Sequence, residues 1–167
     1  MNVLRKCPRR MLGYMQEKTI ISPEIKLQQW GEGEWINEPD FVRFDYKGFA
    51  CAIKRVAVWK KGEPDQLLLG HLSGYVAIPK EHPLYKKEYP EIDIDCHGGL
   101  SFSEEDDLDW WIGFDCARSN DIMPYIEKMK KKFGIDNSPI FNKTYRNISY
   151  VKAQCESIVD QLIEMKK

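Results

Sequence analysis

Three extended runs joined by two short turns, between Phe41 and Ile78, constrain this chain more than any other feature. Phe41-Val42-Arg43-Phe44-Asp45-Tyr46 is aromatic and β-branched, the composition that suits a half-buried strand. Lys47-Gly48 reads as a tight turn. Phe49 to Lys60 then continues as a long strand, with Ala50, Ala52, Val56 and Val58 at even spacing. Lys61-Gly62-Glu63-Pro64-Asp65 supplies a second turn, and Leu67 to Ile78 a third run, broken by Gly70 and Gly74. Strands joined by tight turns pair antiparallel. Glycine inside a strand marks a bulge or a close approach to the backbone.

Pro79 to Pro90 is a loop with Pro79, Pro83 and Pro90. Ile92 to Ser103 is expected to be a fourth extended segment carrying His97-Gly98-Gly99, with an acidic turn over Glu104 to Asp107. Trp110 to Asp115 is expected as the fifth strand, on which Trp110 and Trp111 must face opposite sides. Helices flank this sheet region. Ser22-Pro23-Glu24 has the chemistry of a helix start, and Gly31 and Gly33 end that helix. Pro124 opens a second helix through about Phe133, with Gly134 past its end. Ile148, Val151, Cys155, Ile158, Val159 and Leu162 recur at three- and four-residue steps, which predicts a long C-terminal helix closed by Lys166 and Lys167. The expectation is an α+β fold: a mainly antiparallel sheet of about five strands, with helices packed on one face.

The 167 residues suit one domain over 1–167, with 1–21 as a basic arm, flexible or loosely packed. A formal net charge of −1 offers no general field for nucleic acid. Lys128, Lys130, Lys131 and Lys132 read as the solvated face of a helix. The five cysteines (Cys7, Cys51, Cys96, Cys116 and Cys155) form no CxxC pair, so free thiols are expected and a zinc ribbon is not. No secretory signal or run of roughly 20 apolar residues is present, and the expected placement is cytoplasmic, without membrane.

Three stretches carry residues suited to chemistry. In Asp93 to Leu100, paired glycines after His97 allow positive φ and exposed backbone donors. A strand end with a hydrogen-bonded histidine explains the same residues. In Trp110 to Asp121, Asp115, Cys116, Arg118, Asn120 and Asp121 gather past a strand end, where a rigid sheet positions a loop. Packed tryptophans and a buried cysteine are the plain alternative there. In Gly70 to Tyr75, His71 stands where it might meet His97 across strands, although a sheet surface explains it as well. His71, His82, His97, Asp95, Asp115 and Asp121 match no metal motif, so neither metal nor cofactor is expected. As an enzyme, the chain would use His97 with Asp115 or Cys116, and Cys116 would need a lowered pKa.

The blocks Gly70-His71-Leu72-Ser73-Gly74-Tyr75-Val76, Pro79, His82-Pro83-Leu84-Tyr85, His97-Gly98-Gly99-Leu100-Ser101-Phe102 and Trp110-Trp111-Ile112-Gly113-Phe114-Asp115-Cys116-Ala117 occur in this order. Together they resemble a family of small, functionally uncharacterised proteins of bacteriophage and bacterial genomes. The resemblance spans about Glu38 to Pro124. That family's pattern reads His-Gly-Gly-Leu-Thr, then Gly-Phe-Asp-Cys-Ala-His, a small residue and Gly-Asp. Matching positions are His97, Gly98, Gly99, Asp115, Cys116 and Asp121, while Arg118 replaces a His and Asn120 a Gly. An arginine there suits phosphate or carboxylate.

The resemblance implies a phage or prophage origin and, with it, action in a host cytoplasm. Phage proteins of this size include ones that sequester nucleotide immune signals. The resulting expectation is a binding protein, alone or as a homo-oligomer, that captures a phosphorylated or nucleotide-like molecule. Its ligand contacts would be His71, Tyr75, His97, Gly98, Gly99, Trp110, Trp111, Asp115, Arg118 and Asp121. The competing expectations are a small hydrolase or transferase and an inhibitor that binds a host protein directly.

Overall fold

A computed structural model describes residues 20–62, 65–106, 109–135 and 143–166. The basic arm up to residue 19, Glu63-Pro64 of the second turn, Asp107 of the acidic run and Lys167 lie outside the described residues. Five antiparallel strands form one sheet: β1 (Phe41–Tyr46), β2 (Phe49–Lys60), β3 (Gln66–Ile78), β4 (Phe102–Asp106) and β5 (Asp109–Asp115), in the order β1-β2-β3-β5-β4. Among the described residues three helices pack on it: α1 (Pro23–Trp30), α2 (Pro124–Phe133) and α3 (Ile148–Glu164). The chain is therefore α+β.

Local chemistry accounts for the boundaries. Lys47 and Gly48 both have positive φ (47° and 83°) between the paired Tyr46 and Phe49, as a two-residue hairpin turn requires. Ser22 caps α1 by accepting from the Ile25 N–H at 3.3 Å, with Pro23 as the first helical residue. Gly134 ends α2 in the left-handed region.

Helix α3 buries Val151, Cys155, Ile158, Val159 and Leu162 completely, against a core that includes Cys51, Ile53, Leu72, Val76, Ile112 and Phe114. Each of those aliphatic side chains contributes on the order of 1.5–3 kcal/mol by leaving water. Two strand glycines admit the helices. A Cβ at Gly74 would lie 2.8 Å from the Cys155 sulfur of α3 and 2.6 Å from Phe114. One at Gly70, where β3 is irregular and φ is +104°, would lie 3.0 Å from Pro124 of α2 and 3.1 Å from Trp30 of α1.

Two sequence expectations need correction. Ile92 to Ser101 is an irregular segment rather than a strand, and β4 begins only at Phe102. Gly98 and Gly99 have φ of +66° and +79°, which an extended strand excludes. Glutamines of α3 satisfy this segment's backbone instead. The Asp95 N–H donates to Gln161 Oε1 at 2.8 Å, and the His97 N–H donates to Gln154 Oε1 at 2.8 Å. Glu104, Glu105 and Asp106 belong to β4, opposite Trp111, Trp110 and Asp109, rather than to a turn. Cross-strand pairing to β5 outweighs the turn preference of consecutive acids.

A buried ionic network ties the helices to the sheet. Arg55 of β2, with no exposed surface, donates to Asp40 at 2.7 Å, Glu38 at 3.1 Å, the Gly70 carbonyl at 2.8 Å and the Tyr145 hydroxyl at 2.9 Å. Lys26 of α1 joins it through Asp40 at 2.7 Å. Burial pulls the Lys26 ammonium below the ordinary lysine value although Asp40 opposes this. Among the described residues, no helix is long and apolar enough to cross a membrane.

Candidate functional site

The site is built where three segments leave regular structure on the same side: Cys96–Leu100, the loop after β5, and the approach to α3. Cys96 to Gly99 is a turn closed by the Gly99 N–H donating to the Cys96 carbonyl at 3.0 Å. That donor is therefore consumed within the turn. Gly98 serves a different purpose from offering a backbone donor. A Cβ there would stand 2.4 Å from Arg118 Nε, so glycine lets the Arg118 stem lie on the turn.

Asp121 is the organiser. Its side chain has no exposed surface. Oδ2 accepts from His97 Nε2 at 2.7 Å and from the Arg118 N–H at 2.9 Å, and Oδ1 accepts from Arg146 Nε at 3.0 Å. Burial alone would raise its pKa. The donors from His97, the Arg118 backbone and Arg146 outweigh burial and hold the carboxyl below its ordinary value. Because Oδ2 accepts from His97 Nε2, that nitrogen carries a proton, an assignment made from its partner. The other ring nitrogen, Nδ1, lies 2.8 Å from the Tyr150 hydroxyl. Arg146 also stacks over the Tyr150 ring, 4.7 Å from its centroid.

Asp115 ends β5 and is a third-exposed. It accepts from Ser101 Oγ at 2.9 Å and from the Ala117 N–H at 3.1 Å, and lies 3.6 Å from the Arg118 guanidinium. His97, Gly98, Asp115, Arg118 and Asp121 thus converge. The Arg118 side chain stays 40% exposed and lines a pocket of about 210 Å³.

The remaining sequence candidates stand elsewhere or are closed off. Trp110 and Trp111 face opposite sides of β5 as the strand period requires, but both are buried. Trp110 packs in the α3-side core and donates to the Lys87 carbonyl at 2.7 Å; Trp111 packs with Ala50, Ala52 and Ala77. Trp111 is also four residues before Asp115, roughly 13 Å along the strand. Tyr75 packs edge-on against Phe102 near Trp111. His71 is buried, and its Nδ1 has no hydrogen-bond partner. Burial lowers its pKa, with Asp115 and Asp121 opposing, and no hydrogen bond joins it to His97 among the described residues. Cys116 is buried and its thiol is pushed up to about 12, first by burial and then by Asp121 and Asp115. Burial thus disfavours the thiolate, the form in which a cysteine acts as a nucleophile. His82 is structural: Nε2 donates to the Leu162 carbonyl of α3 at 2.7 Å, and Nδ1 accepts from the Leu84 N–H at 3.1 Å.

Arg146, Tyr150 and Gln154 were not legible as site residues. They lie 25 or more positions from their partners Asp121 and His97. The signal nearest to them, Asn147 as a helix cap, reads only as a helix start. No protein-family model, no curated protein and no solved structure matches this chain.

Proposed function

We propose that this protein binds a phosphorylated or nucleotide-like small molecule, with Arg118 as the anion contact. The observation that carries this reading is the state of Arg118. Its N–H is fixed by Asp121 and its stem lies on Gly98, yet its guanidinium remains partly open. An arginine held this way loses little further freedom on meeting a phosphate. Asp115, at 3.6 Å and partly exposed, is a weak competitor for it. The buried tryptophans leave stacking out of this reading. A phage-encoded protein with this property would act in the host cytoplasm by sequestering a signal, as a monomer or a homo-oligomer.

The second reading, a hydrolase, has one observation in its favour. His97 is oriented by Asp121 at 2.7 Å, as a general base is oriented by a carboxylate. Among the described residues the His97 ring is hydrogen-bonded to Asp121 and Tyr150, not to Asp115 or Cys116. The base reading predicts turnover lost in His97→Ala, whereas the binding reading predicts a ligand recovered intact.

The test is mass spectrometry of small molecules released by heat from protein purified from a bacterial host, followed by calorimetric titration of the compound found. A phosphorylated compound, absent from an Arg118→Ala preparation of unchanged fold, is the expected result. Equal retention by Arg118→Ala would end the reading.

A further inference from the structure

We propose that the pocket beside Arg118 is an anion subsite, in which Lys130 and Lys143 join Arg118 around a terminal phosphate monoester. This rests on the phosphorylated-ligand reading and extends it to two residues on other segments. Lys130 comes from α2. Lys143 is delivered by a short stretch of parallel pairing: Thr144 N–H donates to the Asn120 carbonyl at 2.9 Å, and Ile122 N–H donates to the Thr144 carbonyl at 2.9 Å. The loop that holds Arg118 is thereby stitched to the residue after Lys143. Ile122, Met123 and Glu127 are among the other lining residues.

Charge and size define the ligand end. Arg118, Lys130 and Lys143 all line one pocket. Asp121 also lines it, but its charge is already met by Arg146 at 3.0 Å, and its Oδ2 accepts from His97 Nε2 at 2.7 Å. Glu127 is the remaining carboxylate of the lining, and Asp115 reaches Arg118 only at 3.6 Å. Lys130 beside it pulls the Lys143 ammonium below the ordinary lysine value; burial adds to this and Glu127 opposes it. Two ammonium groups side by side are unfavourable, and an anion between them removes the cost.

A volume of about 210 Å³ falls short of the roughly 300–1,000 Å³ that encloses a whole small molecule. The pocket therefore takes the end of a ligand. A terminal monoester carries about −1.5 to −2 charges on three acceptor oxygens, which suits a pocket lined by three cationic residues. A diester carries a single charge and substituents on both sides, so it cannot lead with its phosphate into a small pocket.

The experiment uses phenyl phosphate and its methyl diester as probes, at constant ionic strength, with the full chain. Lysines are acetylated with limiting reagent and read by peptide mass spectrometry. Lys47 and Lys86, which are more than half exposed elsewhere, serve as internal controls. Phenyl phosphate is expected to protect Lys130 and Lys143 several-fold, the diester not, and neither to protect the controls. Its affinity is expected to fall about tenfold or more in Lys130→Gln/Lys143→Gln, a loss of at least about 1.4 kcal/mol. Binding that Arg118→Ala abolishes, without protection of the two lysines, would overturn the subsite and leave the phosphate reading standing. Equal protection by the diester would overturn the monoester assignment. If neither probe binds, both readings fall together.

Discussion

Two ionic clusters of similar composition sit in this molecule, and they are built to opposite ends. In the first, Lys26, Glu38, Asp40 and Arg55 satisfy one another completely. Arg55 spends its donors on Asp40, Glu38, Gly70 and Tyr145, and none of its surface is exposed. In the second, Asp121 is as fully engaged, by His97, Arg146 and the Arg118 backbone. The Arg118 side chain is left 40% exposed, with a 3.6 Å contact from its guanidinium to Asp115. Charged residues do not by themselves mark a site. What distinguishes the two is a cation that is mechanically fixed but electrostatically incomplete. The closed network also serves the open one. Glu38 accepts from the Tyr145 hydroxyl at 2.6 Å and the Ile148 N–H at 2.9 Å, on either side of Arg146.

This contrast can be broken at several points. The largest effect is expected from Arg55→Met, which takes the guanidinium away from buried Asp40 and part-buried Glu38. A loss of about 3–5 kcal/mol is the expectation for removing one member of a buried ion pair, read from urea unfolding. A loss below 1 kcal/mol would show that the network is not closed.

Next is Asp121→Asn, with an expected cost of about 1–3 kcal/mol for leaving buried donors poorly matched. This variant also carries a pH signature. The folded carboxyl is held below its ordinary value of 3.8, so its stabilisation is present above that pH and is lost as pH falls through the lower folded value. Stability measured from pH 6 to pH 2 should therefore decline less steeply on the acid side in Asp121→Asn. Parallel curves would contradict the assignment.

Gly98→Ala and Gly99→Ala form a sharper pair. Both force alanine to positive φ, at about 1–2 kcal/mol. Only the Gly98 substitution collides with Arg118; at Gly99 nothing lies within 4 Å. Ligand affinity should drop in Gly98→Ala and hold in Gly99→Ala. The smallest stability effect, within about 0.5 kcal/mol, is expected for Arg118→Ala, together with loss of ligand. A large change in its melting temperature would place Arg118 with the closed network instead.

Much of this architecture was written locally. The hairpin at Lys47-Gly48, the opposed faces of Trp110 and Trp111, and the caps at Ser22 and Gly134 follow from turn chemistry and strand period. So does the apolar stripe of α3. These depend on neighbours a few residues apart, so the sequence by itself determined them. Half of the candidate site was legible in the same way, because His97-Gly98-Gly99 and Asp115 to Asp121 carry polar groups and glycines in short runs. The segment before β4 misled because its partners are the α3 glutamines, some 57 to 66 residues away. Only the tertiary structure decided that both tryptophans and Cys116 are buried, and that Asp121 is held by Arg146 and His97. It alone placed Lys130 and Lys143 at one pocket with Arg118. The physical reason is that burial and electrostatic balance are sums over everything that packs around a group, and most of those contributors are distant in the chain.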